Sequence, residues 1–219
     1  MNPNLTQLCK DLEAFETEPW AIEAILDVEL MTPNVMDPCC GTGLMAAAAK
    51  TRGYDVSTFD IHDWSQTFPV AKRPDHIVDF LTVKPNGVSA DWTYFLNPPF
   101  SKACEFVDKC KEVGARKIIC FQRWAWRESG GRAEWWARNP PSRIWLCIDR
   151  ATCWRFDVPK ECVGEGCGKT NKIEKSKYPV CRKCMGNTTQ PHAFFVWERG
   201  HSGTAICDLR KPRPKKETV

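Results

Sequence analysis

The sequence predicts an α/β domain built on a mostly parallel β-sheet with an antiparallel last strand. Three observations carry that expectation. Strand-like and helix-like stretches alternate through the first 120 residues, the pattern of β-α-β units and parallel strands. The last two strand patterns, Ile144 to Asp149 and Ala193 to Trp197, have no helix pattern between them, so they are expected to pair as an antiparallel edge. The chain has 219 residues, 42% hydrophobic and 26% charged, which suits one substantial globular domain with a small insertion.

Composition excludes several classes. The uncharged stretch Pro38 to Ala49 is twelve residues long, short of the ~18 apolar residues a membrane helix needs. Met1 to Pro19 holds no apolar segment behind a positive flank, so no secretory leader is expected. Net charge is +4, from 31 basic and 27 acidic residues, compatible with a nucleic-acid partner. Thirteen cysteines, an odd count without a leader, argue against a disulfide framework. Nine of them sit mostly in apolar stretches and read as small buried hydrophobes; four form a cluster of their own.

The elements follow in order. Thr17 to Leu30 carries a broad apolar face at helical spacing, with Pro19 suited to the first turn. Asn34 to Asp37 is a short strand leading into the loop Pro38 to Gly43. Leu44 to Arg52 is Ala-rich and helical, and Gly53 stops it. Tyr54 to Asp60 alternates as a strand does, and Asp75 to Leu81 and Trp92 to Leu96 are further strands. Ser101 is placed to cap a helix whose apolar positions run from Ala103 to Val113, with Gly114 ending it. Lys117 to Phe121 is the next strand. Lys211 to Val219 reads as a basic tail.

Two constellations carry chemistry. Asp37-Pro38-Cys39-Cys40-Gly41-Thr42-Gly43 lies between a strand and a helix, where glycines permit a sharp turn and a close ligand and the helix start offers free amide donors. Asp60 ends the next strand, where an acid can accept from ribose hydroxyls. The loop lacks the third glycine of a dinucleotide fingerprint and the Gly-Lys of a P-loop, so a ligand with adenosine but no phosphates fits better. Asn97-Pro98-Pro99-Phe100 ends the strand at 92–96. Its prolines remove two backbone donors, so the loop offers two acceptors, the Asn97 side-chain oxygen and the Pro98 carbonyl. Two acceptors can hold an exocyclic amine, and Phe100 gives a flat face for a base.

With these residues in place, the sequence resembles S-adenosylmethionine-dependent DNA adenine-N6 methyltransferases of the small kind common in phages and bacteria. The resemblance covers roughly residues 16–125 and, more loosely, the strands up to 200. Asp37 to Gly43 is similar to the family's cofactor loop, and Asn97, Pro98, Pro99 and Phe100 to its catalytic motif. The resemblance implies a Rossmann-like seven-stranded sheet with an antiparallel last strand. It implies cofactor contacts from Asp37, Pro38, Gly41 and Gly43, and from Asp60 with Ile61 beside it. Asp79-Phe80 resembles the pair that contacts and covers the adenine. Glu18-Pro19-Trp20 resembles the N-terminal segment that closes over the methionine part. The implied compartment is the cytoplasm of a bacterium or phage-infected host, and the implied biology includes restriction-modification. No large target-recognition domain is evident.

A third constellation is Cys162, Cys167, Cys181 and Cys184, spaced C-x4-C and C-x2-C. Four thiolates suit a tetrahedral structural zinc with no open position. Residues 160–183 carry seven Lys/Arg against three acids, so a zinc-ribbon-like insertion at 160–190 is expected to be basic. It would divide a methyltransferase domain at 1–159 and 191–210, followed by the tail at 211–219. Candidate nucleic-acid contacts are Arg123, Arg127, Arg132, Lys169, Arg182 and Lys183. The first three lie among Trp124, Trp126, Trp135 and Trp136, an interleaving that suits phosphate contact and base stacking, or else a surface helix with Trp facing the core.

The reading is a DNA adenine-N6 methyltransferase, with S-adenosylmethionine and structural zinc, DNA as partner, no membrane association and a monomer favoured. Two rivals stand beside it. Asn-Pro-Pro-aromatic motifs also resemble those of RNA guanine-N2 and protein glutamine methyltransferases. A zinc-containing nucleic-acid-binding module without catalysis would not need Asp37, Gly41, Gly43 and Asn97.

Overall fold

In a computed structural model of the chain, residues 3–85, 90–151, 153–156 and 190–212 are described. Cys162, Cys167, Cys181, Cys184, Lys169, Arg182 and Lys183 lie outside them, so the expected zinc insertion does too.

The core is an eight-stranded sheet in the order β10-β7-β9-β6-β5-β2-β3-β4. Its strands are β2 (Asn34–Asp37), β3 (Asp55–Asp60), β4 (His76–Ile77), β5 (Thr93–Leu96), β6 (Lys117–Arg123), β7 (Arg143–Cys147), β9 (His192–Glu198) and β10 (Ala205–Leu209). All pairs are parallel except those made by β9, which runs antiparallel between β6 and β7. The expected antiparallel pairing of 144–149 with 193–197 is therefore present, but not at an edge. The outermost position on that side belongs to β10, which the sequence pattern did not reveal because its residues are mostly exposed. The sheet thus has eight strands where the resemblance implies seven.

Chain direction around the sheet defines the site. From β2 the chain steps outward one way to β3 and β4; from β5 it steps the other way to β6. The crevice beyond the carboxyl ends of β2 and β5 is the switch point where open α/β sheets bind ligands.

The central strands are apolar on both faces, as strands covered by helices must be. Val35, Phe95, Ile119, Phe121, Phe194 and Val196 pack with α2 (Pro19–Val28) and α3 (Leu44–Thr51). Their strand neighbours Met36, Tyr94, Leu96, Ile118, Cys120 and Phe195 pack with α4 (Ala103–Glu112) and α5 (Ala133–Arg138). Trp126 and Trp136 are buried in this second layer, edge-to-face with each other at 4.7 Å and within 5.4 Å of Phe195. Trp124 and Trp135 are half-buried against the same layer. Trp126 and Trp136 are core, not free faces for bases.

The far end of the sheet is held by buried charge. Glu29 accepts from Lys117 Nζ at 3.0 Å, Arg143 Nε at 2.5 Å and Trp145 Nε1 at 2.8 Å, and Arg143 also bonds Glu198. Paired and hydrogen-bonded in this way, the ions keep the partners that burial requires.

Three local expectations are corrected. The strand expected over Asp75 to Leu81 shrinks to His76–Ile77. Asp75 is spent bonding the Thr58 amide and hydroxyl, and Asp79 caps a one-turn helix at Phe80–Thr82. Ser101 does not cap α4: it sits inside a turn at Phe100–Lys102, and the residue before the helix is Lys102. An N-terminal helix, α1 (Pro3–Asp11), and a two-stranded ribbon of β1 (Phe15–Glu16) with β8 (Trp154–Arg155) were not legible in the sequence pattern.

Candidate active-site cleft

Asp37 ends β2, and the chain turns through Gly41 (φ 57°) and Gly43 (φ 86°) into α3. Both glycines use the left-handed region that side chains resist. A Cβ on Gly41 would lie 2.6 Å from Phe156 Cζ, so the loop also needs the missing side chain for space. Asp60 ends β3 and braces the loop. Its carboxylate accepts from the Gly41 N–H at 2.8 Å and the His62 N–H at 2.9 Å.

This loop forms one wall of a cleft. The other wall is the loop after β5, through Asn97 and Pro99. Phe80, itself in the core against Phe59, Tyr94 and Phe106, closes the floor with Phe106. Ile61 is 54% exposed at the same cleft, an apolar side chain facing open space. Asp37, Pro38, Gly41, Asp60, Ile61, Asp79, Phe80, Asn97 and Pro99 therefore all line one cleft.

The roof was not foreseen in its position. Residues 11–17 cross the cleft as a strap, together with Phe156. The strap is tied to both loops. Glu13 accepts from the Ser101 N–H at 2.9 Å, the Phe15 carbonyl accepts from Asn97 Nδ2 at 3.0 Å, and Glu16 bonds the Thr42 hydroxyl. The Phe156 N–H reaches the Ala14 carbonyl at 3.1 Å. The expected closing residues, Pro19 and Trp20, do not line the cleft. Trp20 is 7% exposed within the core, and Pro19 lies exposed at the first turn of α2. The segment that covers the cleft lies just upstream, and its apolar Leu12 and Phe15 were the available signal. Gly43 shapes the loop without lining the cleft.

The electrostatics of the cleft are one-sided. Among the described residues Asp11, Glu13, Glu16, Asp37, Asp60 and Asp79 line it against one cation, Lys102. Asp37 is 2% exposed; burial, with the neighbouring Asp60 charge, pushes its carboxyl up to about 8. Burial also raises Asp60, against the hydrogen bonds it accepts. Cys39 and Cys40 are pushed far above the ordinary thiol range by burial and these carboxylates, so neither is a ready nucleophile.

Pro98 and Phe100 are not among the residues that line the cleft. The Pro98 carbonyl accepts from Gln122 Nε2 at 3.0 Å. Phe100 has Phe15 at 5.4 Å, the Arg123 guanidinium 4.1 Å from its ring centre and His192 at 6.4 Å. His192 is stacked on Phe121, and burial lowers its imidazole to about 4. Arg127 lies over Trp136 at 5.1 Å, and Arg132 Nε donates to the Trp126 carbonyl. Among the described residues no group of three or more His, Cys, Asp or Glu is placed to hold a metal ion, and no helix is long and apolar enough to cross a membrane.

No family model and no curated protein matches the sequence. Solved structures similar to this chain include the methyltransferase subunit of a type I restriction-modification system from Streptococcus thermophilus, 10% identical, with a TM-score of 0.48 over 87% of this chain and 45% of that one. A putative class I S-adenosylmethionine-dependent methyltransferase from Listeria monocytogenes is 10% identical, with a TM-score of 0.47 over 87% of this chain and 62% of that one. A putative RNA methyltransferase from Pyrococcus horikoshii is 10% identical, with a TM-score of 0.45 over 81% and 79%. The chain spans 52% of the length of a similar 23S rRNA methyltransferase, which is 17% identical with a TM-score of 0.41 over 55% of this chain.

Proposed function

We propose that the chain is an S-adenosylmethionine-dependent methyltransferase whose substrate amine is N6 of an adenine in DNA. One observation carries this reading. The glycine loop after β2 and the Asn97–Phe100 loop after β5 meet across one cleft at the switch point of the sheet.

The residues present fit the cofactor. Among the described residues six acidic side chains and one lysine line the cleft; even with Asp37 protonated near neutral pH, the acids would disfavour a pyrophosphate and favour a ligand that carries a sulfonium and an ammonium. The Gly41 turn gives the close backbone approach that a nucleoside ligand needs, and Asp60 and Asp79 offer acceptors for its hydroxyl and amino groups. When bound, the cofactor supplies an electrophilic methyl group.

The chain's own residues then hold the nucleophile. Because Nδ2 of Asn97 is engaged by the Phe15 carbonyl, Oδ1 is the atom left to accept from an amine. Oδ1 and the Pro98 carbonyl together hold both amine protons and stabilise the positive charge that grows on nitrogen. Neither acceptor is a base, so the surplus amine proton would pass to solvent. Positioning does most of the work. A base reaches this site only outside the duplex stack, where Phe100 gives it a flat partner.

Within the same reading, Cys162, Cys167, Cys181 and Cys184 hold a structural zinc, since four soft thiolates complete a tetrahedral shell. Arg123, Arg127, Arg132, Lys169, Arg182 and Lys183 contact phosphates of the nucleic acid. Elemental analysis is expected to give one zinc per chain, lost on Cys181→Ser with Cys184→Ser.

The test is transfer from a methyl-labelled cofactor to duplex DNA, structured RNA and protein in parallel. Label recovered from DNA as N6-methyladenine is the expected result. Label in RNA guanine or protein glutamine would move the substrate, and label in none of the three would remove the reading.

A further inference from the structure

Gln122 is an amide that follows the apolar run Ile118-Ile119-Cys120-Phe121 on β6, and it is 1% exposed. Burying an amide is costly unless it is hydrogen-bonded. Its Nε2 donates to the Pro98 carbonyl at 3.0 Å. That carbonyl belongs to a loop with two consecutive prolines, which have no N–H of their own and cannot brace the loop through their own backbone donors. The brace comes instead from the neighbouring strand. The other acceptor of the loop is held separately: the Phe15 carbonyl takes Asn97 Nδ2, and the Cys153 thiol lies against the same side chain.

We propose that Gln122 is a positioning residue for this loop: its N–H takes one lone pair of the Pro98 carbonyl and so aims the other at the substrate amine. The inference rests on the function proposed above and adds to it the group that sets the angle of the second acceptor. A carbonyl oxygen has two lone pairs, so donation from Gln122 does not block the amine. Without the donor, the Pro98 carbonyl loses a fixed direction while the glycine loop and strap stay untouched, because Gln122 does not line the cleft.

Two variants test this. Gln122→Met keeps the volume and removes the donor. It is expected to lower kcat between about tenfold and a hundredfold, the scale of a misplacement near 1 Å, with cofactor affinity within about twofold of wild type. Gln122→Glu can donate only while its carboxyl is protonated. Its rate relative to wild type is therefore expected to be highest at low pH and to fall as the carboxyl ionises. The charged and titratable neighbours do not supply that profile. His192 stays neutral above about 4 and Cys153 is held far above the thiol range by burial, while Arg123 and Asp37 are common to both proteins. If the Met variant does not fold, the Glu variant still decides. A kcat within about twofold of wild type for Gln122→Met, or a pH-independent ratio for Gln122→Glu, overturns the inference and leaves the proposed function standing. A wild-type chain that methylates none of DNA, RNA or protein removes both.

Discussion

On the proposed function, Asn97 holds the reacting amine, and its surroundings fix its side chain. One end of its amide is fixed to the strap through the Phe15 carbonyl, so its oxygen has a set direction before substrate arrives. Asn97→Ala is expected to lose roughly 10²–10³ in kcat, as with the loss of one preorganised polar group. Cofactor affinity by calorimetry should stay within about threefold, because the substrate amine and not the cofactor is what Asn97 serves. Asp37 makes a different prediction. With its carboxyl raised to about 8, it is neutral near pH 7, and a cationic ligand favours the ionised form. Binding at pH 7 should release a proton, and affinity should tighten from about pH 6 to about pH 8 by up to about tenfold per unit. Asp37→Asn should lose that part of the pH dependence. The sign for the ligand-free fold is opposite: the folded state binds the extra proton, so the Asp37 contribution is present below about pH 4 and lost as pH rises through about 8.

The elements around the site were unevenly legible. β2, β3, β5 and β6 and helices α2, α3 and α4 lie where alternation, helical spacing and glycine stops place them, because those signals come from faces buried on a large core. The strap and the β1–β8 ribbon have two residues per strand, too few to show a period. They are held by bonds to distant loops, which sequence spacing does not encode. The Trp-Arg interleaving between Trp124 and Trp136 allowed two readings, and burial against Phe195 and Trp197 selects the core for Trp126 and Trp136. Trp136→Ala should therefore cost about 3–5 kcal/mol in denaturant unfolding, which a stacking surface side chain would not. Gly41→Ala meets both a positive φ and the Phe156 ring at 2.6 Å. It should lower Tm and cofactor affinity. Adding Phe156→Ala should recover the part due to the ring and leave the backbone part, about 1–2 kcal/mol; a strictly additive pair of effects would show that the two do not meet.

At the scale of the whole molecule, topology and charge divide the labour. The buried Glu29–Lys117–Arg143–Glu198 network sits at one end of the sheet, and the acidic cleft opens at the other, beyond the carboxyl ends of β2 and β5. The place of the cleft was legible in outline from the alternation of strands and helices and from the strand ends at Asp37 and Asn97; the charge network was not. It was not legible that β9 lies inside the sheet with β10 beyond it, since strand order depends on long-range pairing and not on local pattern. On the proposed function, the net charge of +4 alongside an acidic cleft suits a cationic cofactor inside and a polyanion outside. The most direct measurement is nucleoside mass spectrometry of DNA from a host without adenine methylation, expressing either the wild-type chain or Asn97→Ala. The account predicts N6-methyladenine with the wild type and almost none with Asn97→Ala at equal protein level. Equal N6-methyladenine from both chains, or none from a wild type that is folded and binds S-adenosylmethionine, would contradict it.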